Sequence, residues 1–212
     1  MRRLSWLFGV LAILAAGTPG AWAESPPYEV RPCLECHGPA GLAKHPGVPF
    51  LFGQDRNYLM QQIAAFQREV VPYASGFVRL ERKHPVMSKQ APALPRGDVP
   101  LVVDYFSQLS CISARGFDNA PQAPEPPRDV IAHCYFCHGY GGHNHLAFVP
   151  NLAGQRAGYL REQLHLFRDT KRVDVYTLEQ GRSHPMMTRQ GSKLTDKQID
   201  AIADYFAGLP CR

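Results

Sequence analysis

Two short runs, Cys33-Leu34-Glu35-Cys36-His37 and Cys134-Tyr135-Phe136-Cys137-His138, each set two cysteines three apart with a histidine directly after the second. Thiols and imidazole at that spacing suit three chemistries: a structural zinc site, a redox dithiol, or attachment of a haem. A structural zinc needs four ligands, and neither run has a second Cys-x-x-Cys or a spaced histidine pair to complete the set. A thioredoxin-like dithiol sits between a strand and a helix, and no β-rich run precedes either pair. The remaining chemistry is haem attachment, in which both thiols add to vinyl groups and the adjacent imidazole ligates the iron. On this reading Cys33, Cys36, Cys134 and Cys137 hold two covalent haem c groups, with His37 and His138 as proximal ligands.

The N-terminus supports an assembly outside the cytoplasm. Arg2 and Arg3 precede an apolar run from Leu4 to Ala16, and Ala21-Trp22-Ala23 follows as an A-x-A cleavage site. The run is short for a membrane span. These features predict a signal peptide over residues 1–23, cleavage after Ala23, and a periplasmic protein beginning at Glu24. The surroundings of the arginine pair are not those of a strong twin-arginine signal, which favours export unfolded.

The chain also repeats itself. Cys33, Cys36 and His37 recur 101 residues later as Cys134, Cys137 and His138, followed by Gly38 with Gly139, Pro49 with Pro150, and Gly53-Gln54 with Gly154-Gln155. Tyr58-Leu59 matches Tyr159-Leu160, and Phe66 matches Phe167. One deletion then changes the offset to 100, pairing His84-Pro85 with His184-Pro185, Met87 with Met187, Leu94 with Leu194, Asp104-Tyr105-Phe106 with Asp204-Tyr205-Phe206, and Cys111 with Cys211. Two copies indicate duplication of one small domain rather than a solenoid. The run 113–128, SARGFDNAPQAPEPPR, has five Pro or Gly residues and no periodicity, which makes it an extended linker. The predicted domains are 24–112 and 129–212.

Helices must position these residues. Leu59, Ile63, Phe66 and Val70 form an apolar stripe at helical spacing, repeated by Leu160, Leu164 and Phe167. Thr195 and Gln198 form a capping box ahead of Ile199, Ile202, Phe206 and Leu209. Pro100 falls in the first turn of the matching helix of the first copy, where proline is tolerated. The fold class is all-α. A domain of this size is marginal for an apolar core alone, so a flat apolar haem completes the packing.

The second axial position separates electron transfer from ligand-binding chemistry. Met87 in HPVMSKQ and Met187 in HPMMTRQ are equivalent and lie downstream of the attachment motifs. Met60 faces Arg161 in the second copy and is assigned to the core. Met186 faces Val86 and is assigned to packing. The repeated His84 and His184 are the rival ligands. His143 and His145 lack further ligands nearby and are assigned to the surface, and His45, His133 and His165 have no repeated partner.

With CLECHG and CYFCHG, VPFLFGQ and VPNLAGQ, the paired Tyr-Leu helices, and Met87 and Met187 ahead of LPRGDVPLVVDYF and LTDKQIDAIADYF, the chain resembles cytochrome c4. That family has two haems in tandem class I cytochrome c domains packed about a pseudo-twofold axis. The resemblance covers nearly all of the sequence after the leader. It implies His/Met ligation by His37 and Met87, and by His138 and Met187. It also implies that the backbone carbonyls of Pro49 and Pro150 orient the proximal rings. Two departures stand out. Pro26, Pro27 and Pro32 shorten the helix ahead of the first motif, and Cys111 and Cys211 follow the last helices. The packing that the resemblance implies would bring these two cysteines near the axis, as an internal disulfide, two free thiols, or a link between copies.

Charge adds little. Arg2 and Arg3 account for two of the 23 Lys plus Arg residues, so 21 face 18 Asp plus Glu after cleavage, a net charge of +3. The haem propionates bring the reduced protein near neutrality, and no nucleic-acid role is indicated. The expected function is electron carriage without catalysis. The resemblance implies a quinol–cytochrome c reductase or dehydrogenase as donor, a terminal oxidase or reductase as acceptor, and peripheral membrane association. The alternative is a haem oxidoreductase, or its electron-accepting subunit, working in peroxidase, thiosulfate or nitrite chemistry. That would need an open or Cys-ligated iron.

Overall fold

The computed structural model describes residues 25–38, 45–73, 76–111, 123–170 and 177–211. The predicted leader and most of the predicted linker lie outside them. In the first half a 3-10 turn, Tyr28–Val30, leads into α1 (Arg31–His37), then α2 (Arg56–Phe66), a hairpin of β1 (Val70–Tyr73) and β2 (Gly76–Arg79), β3 (Glu81–Lys83), α3 (Met87–Ala93) and α4 (Val99–Gln108). The second half follows with α5 (Arg128–His138), α6 (Ala157–Asp169), β4 (Gly181–Ser183), α7 (Pro185–Gly191) and α8 (Asp196–Gly208). Among the described residues no helix is long and apolar enough to cross a membrane.

Each half packs its own core from equivalent positions. Val30, Leu59, Val102, Val103 and Phe106 are buried in the first. Ile131, Leu160, Ile202, Ala203 and Phe206 occupy the same places in the second. Pro32 is accommodated in the first turn of α1, where the missing N–H has no intrahelical partner to lose. The helix before the first haem motif is therefore short but present, and Val30 at its start still packs with Phe106. Met60 packs against this core as expected. Thr195 and Gln198 form the capping box at the start of α8.

Two expectations need correction. Val70 does not extend the stripe of α2. The helix ends at Phe66, Arg68 takes φ 62°, and Val70 pairs with Arg79 in a hairpin. The fold is mostly helical as expected, with β3 and β4 pairing across the halves, Arg82 opposite Arg182. Met186 is not packed, being 46% exposed, like its counterpart Val86 at 48%.

Cys111 and Cys211 are joined in an internal disulfide with Cα atoms 5.8 Å apart. Its place is prepared by Gly53, whose φ is 62° and whose N–H bonds the Phe106 carbonyl at 3.1 Å. A Cβ there would lie 3.1 Å from that of Cys111. Repeat-equivalent residues thus meet one another at Cys111–Cys211 and at Arg82–Arg182, which places a pseudo-twofold axis between the halves. The bond closes a span of 100 residues, for which the chain-entropy relation gives about 4.7 kcal/mol, an upper figure for real proteins. Denatured, unreduced holoprotein should show no free thiol, and Cys111→Ala with Cys211→Ala should lower the unfolding free energy by up to about 4 kcal/mol. Two titratable thiols per chain would contradict the bond.

Candidate haem sites and the interface between them

α1 and α5 each end on their motif histidine, and Gly38 and Gly139 then turn the chain with φ 78° and 77°. A side chain at Gly139 would collide with the His143 carbonyl. Within each helix the two cysteines, three apart, share a face beside the terminal histidine. All four are free thiols. Burial pushes the Cys134 thiol up to about 11, which keeps it protonated at neutral pH.

His37 and His138 are buried, and each Nδ1 donates to a carbonyl twelve residues on. The bonds run to Pro49 O at 3.0 Å and Pro150 O at 2.9 Å. A proton held on Nδ1 leaves the lone pair on Nε2, the arrangement a metal-ligating imidazole needs. Burial lowers the pKa of both rings, so both stand neutral.

Later in each half, Met87 opens α3 and Met187 lies in the first turn of α7. Burial, and after it the nearby Arg182 guanidinium, push the His184 pKa to about 4. His143, expected at the surface, fastens its loop by bonding the Pro210 carbonyl. His165 joins a charged cluster with Arg168 and Asp196.

The interface carries residues that spacing alone did not single out. The Gln155 side chain accepts from Phe50 N–H and donates to Phe50 O, both at 2.9 Å. Gln54 does the same to Asn151, accepting at 2.7 Å and donating at 3.0 Å. Since Phe50 and Asn151 follow Pro49 and Pro150, each amide braces the carbonyl that orients the other half's histidine. Arg82 donates to Gln62, Tyr159 OH and Gln163 at 2.7–3.2 Å. Arg182 donates to Gln163, Tyr58 OH and Gln62 at 2.7–2.9 Å. Each guanidinium also lies over a ring of its own half, Phe66 or Phe167, at 4.5 Å. A signal was present: Gln54/Gln155, Tyr58/Tyr159, Gln62/Gln163 and Arg82/Arg182 are all repeated polar pairs that haem attachment does not explain.

The family description Cytochrome c matches residues 128–210. Cytochrome c4 of Azotobacter vinelandii is 31% identical, over 84% of this chain and 84% of its own. The chain belongs to the cytochrome c4 family. A thiosulfate dehydrogenase electron acceptor of Thiomonas intermedia is 28% identical over 99% of this chain and 95% of its own. The crystal structure of reduced cytochrome c4 from Pseudomonas stutzeri superposes with a TM-score of 0.62 at 25% identity, covering 86% of this chain and 95% of that one. As a cytochrome c4 this protein consists of tandem cytochrome c domains, carries two covalent haem c groups and transfers electrons.

The residues present fit that group. The free cysteine pairs adjoin neutral, oriented histidines. Arg82 and Arg182 add a second match. Arg182 is buried, its hydrogen-bond partners are neutral, and no carboxylate among the described residues forms an ion pair with either guanidinium. A buried cation without an anion is costly, and a dihaem protein brings anionic propionates. Both guanidiniums are also near enough to raise the cost of positive charge on the proximal rings. Arg182→Met, which removes the charge and keeps an unbranched stem beside the Phe167 ring, tests that match. The midpoint potentials should fall by on the order of tens of millivolts, since a positive charge favours the reduced iron. Spectroelectrochemical titration checks this; unchanged potentials would show that the charge does not act at the irons.

Proposed function

We propose that this chain is exported to the periplasm, loses residues 1–23, and carries electrons between a respiratory donor and a terminal oxidase or reductase. The domains are 24–112 and 129–212, joined by residues 113–128. Cys33 and Cys36 hold one haem and Cys134 and Cys137 the other. His37 and Met87 ligate the first iron, and His138 and Met187 the second. The observation that carries this reading is the twofold repetition of a buried histidine at a helix end, bonded to a proline carbonyl.

The bound haem supplies a one-electron iron couple. The chain's task is to keep each iron's surroundings unchanged between its two charge states, because every rearrangement adds to the barrier. Pro49 and Pro150 hold the proximal rings in one tautomer and orientation. Gln54 and Gln155 lock those prolines to the opposite half, and Arg82 and Arg182 hold positive charge between the sites. Thioether ligation would raise the potential relative to imidazole.

A second reading draws on the relatives named as thiosulfate dehydrogenase electron acceptors, one spanning 99% of this chain. On that reading the donor is a thiosulfate-oxidising enzyme, and the site chemistry is unchanged. Reduction by a purified thiosulfate dehydrogenase, compared with reduction by a quinol–cytochrome c reductase, separates the two donors.

Protein isolated after export should begin at Glu24 and exceed its polypeptide mass by two haems that survive denaturation. A gain of one haem, or none, would sink the assignment. Replacing Met187 with Ala should lower the potential of one iron and let carbon monoxide bind it when reduced. Ready binding of carbon monoxide by the unaltered protein would instead mean that an iron is already open.

A further inference from the structure

The two distal loops share a hydrogen-bonded unit whose role reaches beyond ligation. His84 Nδ1 accepts from the backbone N–H groups of Val86 and Met87 at 3.2 and 3.3 Å. His184 Nδ1 accepts from Met186 and Met187 at the same two distances. The reciprocal bond is present too. His84 N–H donates to Ser88 Oγ at 3.0 Å, and His184 N–H donates to Thr188 Oγ1 at 2.9 Å. The carbonyls of His84 and His184 accept from Ser88 and Thr188 N–H at 3.0 and 2.9 Å. Each loop is therefore a closed five-residue clasp, His-Pro-x-Met-Ser/Thr. The imidazole takes the place an Asn, Asp or Ser side chain usually holds at a helix start. Proline contributes no N–H to compete for the imidazole.

The clasp explains which methionine is repeated. Its third residue, Val86 or Met186, points to solvent in both halves, so its identity is free and Met186 is surplus. Its fourth residue has its backbone N–H tied to the ring and its side chain half-buried in both halves. An imidazole that accepts at Nδ1 carries its proton on Nε2, so neither nitrogen offers a lone pair to a metal.

We propose that His84 and His184 are positioning residues, not axial ligands: each caps the helix that presents Met87 or Met187 and holds that thioether on its iron. This rests on the Met87 and Met187 ligation proposed above.

The experiment uses the haem-loaded protein in four forms, His184→Leu, His184→Asn, Thr188→Val and Met187→Ala. The readouts are the weak long-wavelength methionine–iron charge-transfer band of the oxidised form, carbon monoxide binding by the reduced form, and the midpoint potentials. His184→Leu should lose about half of the band and bind carbon monoxide at one iron per chain. His184→Asn, which restores a short acceptor, should recover the band and exclude carbon monoxide. Thr188→Val, nearly isosteric, should weaken the band in the same direction and keeps the test open if His184→Leu does not fold. Should Met187→Ala open one iron while His184→Leu and Thr188→Val both leave the band intact, the clasp is overturned and the ligand assignment stands. Loss of the band in His184→Asn as well as His184→Leu also overturns the clasp. If Met187→Ala leaves both irons closed to carbon monoxide while both His184 variants open one, the histidine is the ligand and both readings fall.

Discussion

Arg82 and Arg182 face one another across an antiparallel ladder and share the side-chain carbonyls of Gln62 and Gln163. Directly opposed residues on such a pair project to the same side, so two like charges are held together away from bulk water. That arrangement is unfavourable by itself, and neutral hydroxyl and amide acceptors only soften it. Stacking on Phe66 and Phe167 adds the attraction of a ring face for a cation. Anionic propionates of the two haems would offset the remainder.

The same ladder makes two marginal domains into one molecule. Each half buries only a handful of large side chains, with Phe106 and Phe206 at their centres, and cores of this size contribute little margin alone. The Gln54 and Gln155 amides reproduce backbone pairing across the halves, and the Cys111–Cys211 bond closes the other end. These contacts run through the carbonyls of residues adjoining Pro49 and Pro150. Rotation of one half would therefore disturb the ring orientation in the other.

Much of this was legible in the sequence because the signals are local. Cys-x-x-Cys-His, the Thr195–Gln198 box and the apolar stripes all act within one or two helical turns. The offset of 101 and then 100 supplied the domain plan. What escaped depended on the third dimension. Val70 fits the stripe of α2, yet Arg68 turns left-handed and sends it into a hairpin. Arg82 sits in a run, RLERKH, whose charges suggest a solvated face, but strand pairing turns its side chain inward between the halves. Met186 is apolar beside a repeated methionine and was expected to pack, while the clasp directs it to solvent. The repeated polar residues were visible, but a repeat shows that a position matters in both copies without showing what it touches.

The interface is nearly symmetric, so a difference between the two redox centres has to arise elsewhere. The surroundings of the attachment motifs supply it. Between its cysteines the second motif carries Tyr135, whose hydroxyl meets Glu125 at 2.6 Å and Tyr205 OH at 2.8 Å, and whose ring stacks on Tyr140 with centroids 4.5 Å apart. Burial and these two partners hold the Tyr135 phenol well above its ordinary pKa, so it stays a neutral donor. The first motif has Leu34 at that position, which packs into the apolar core and offers no dipole. Glu125 also ties the end of the interdomain segment to the second domain alone. The first motif instead carries a carboxylate of its own, Glu35, between its cysteines, so the polar surroundings of the two centres differ in kind although the ladder between the halves is nearly symmetric.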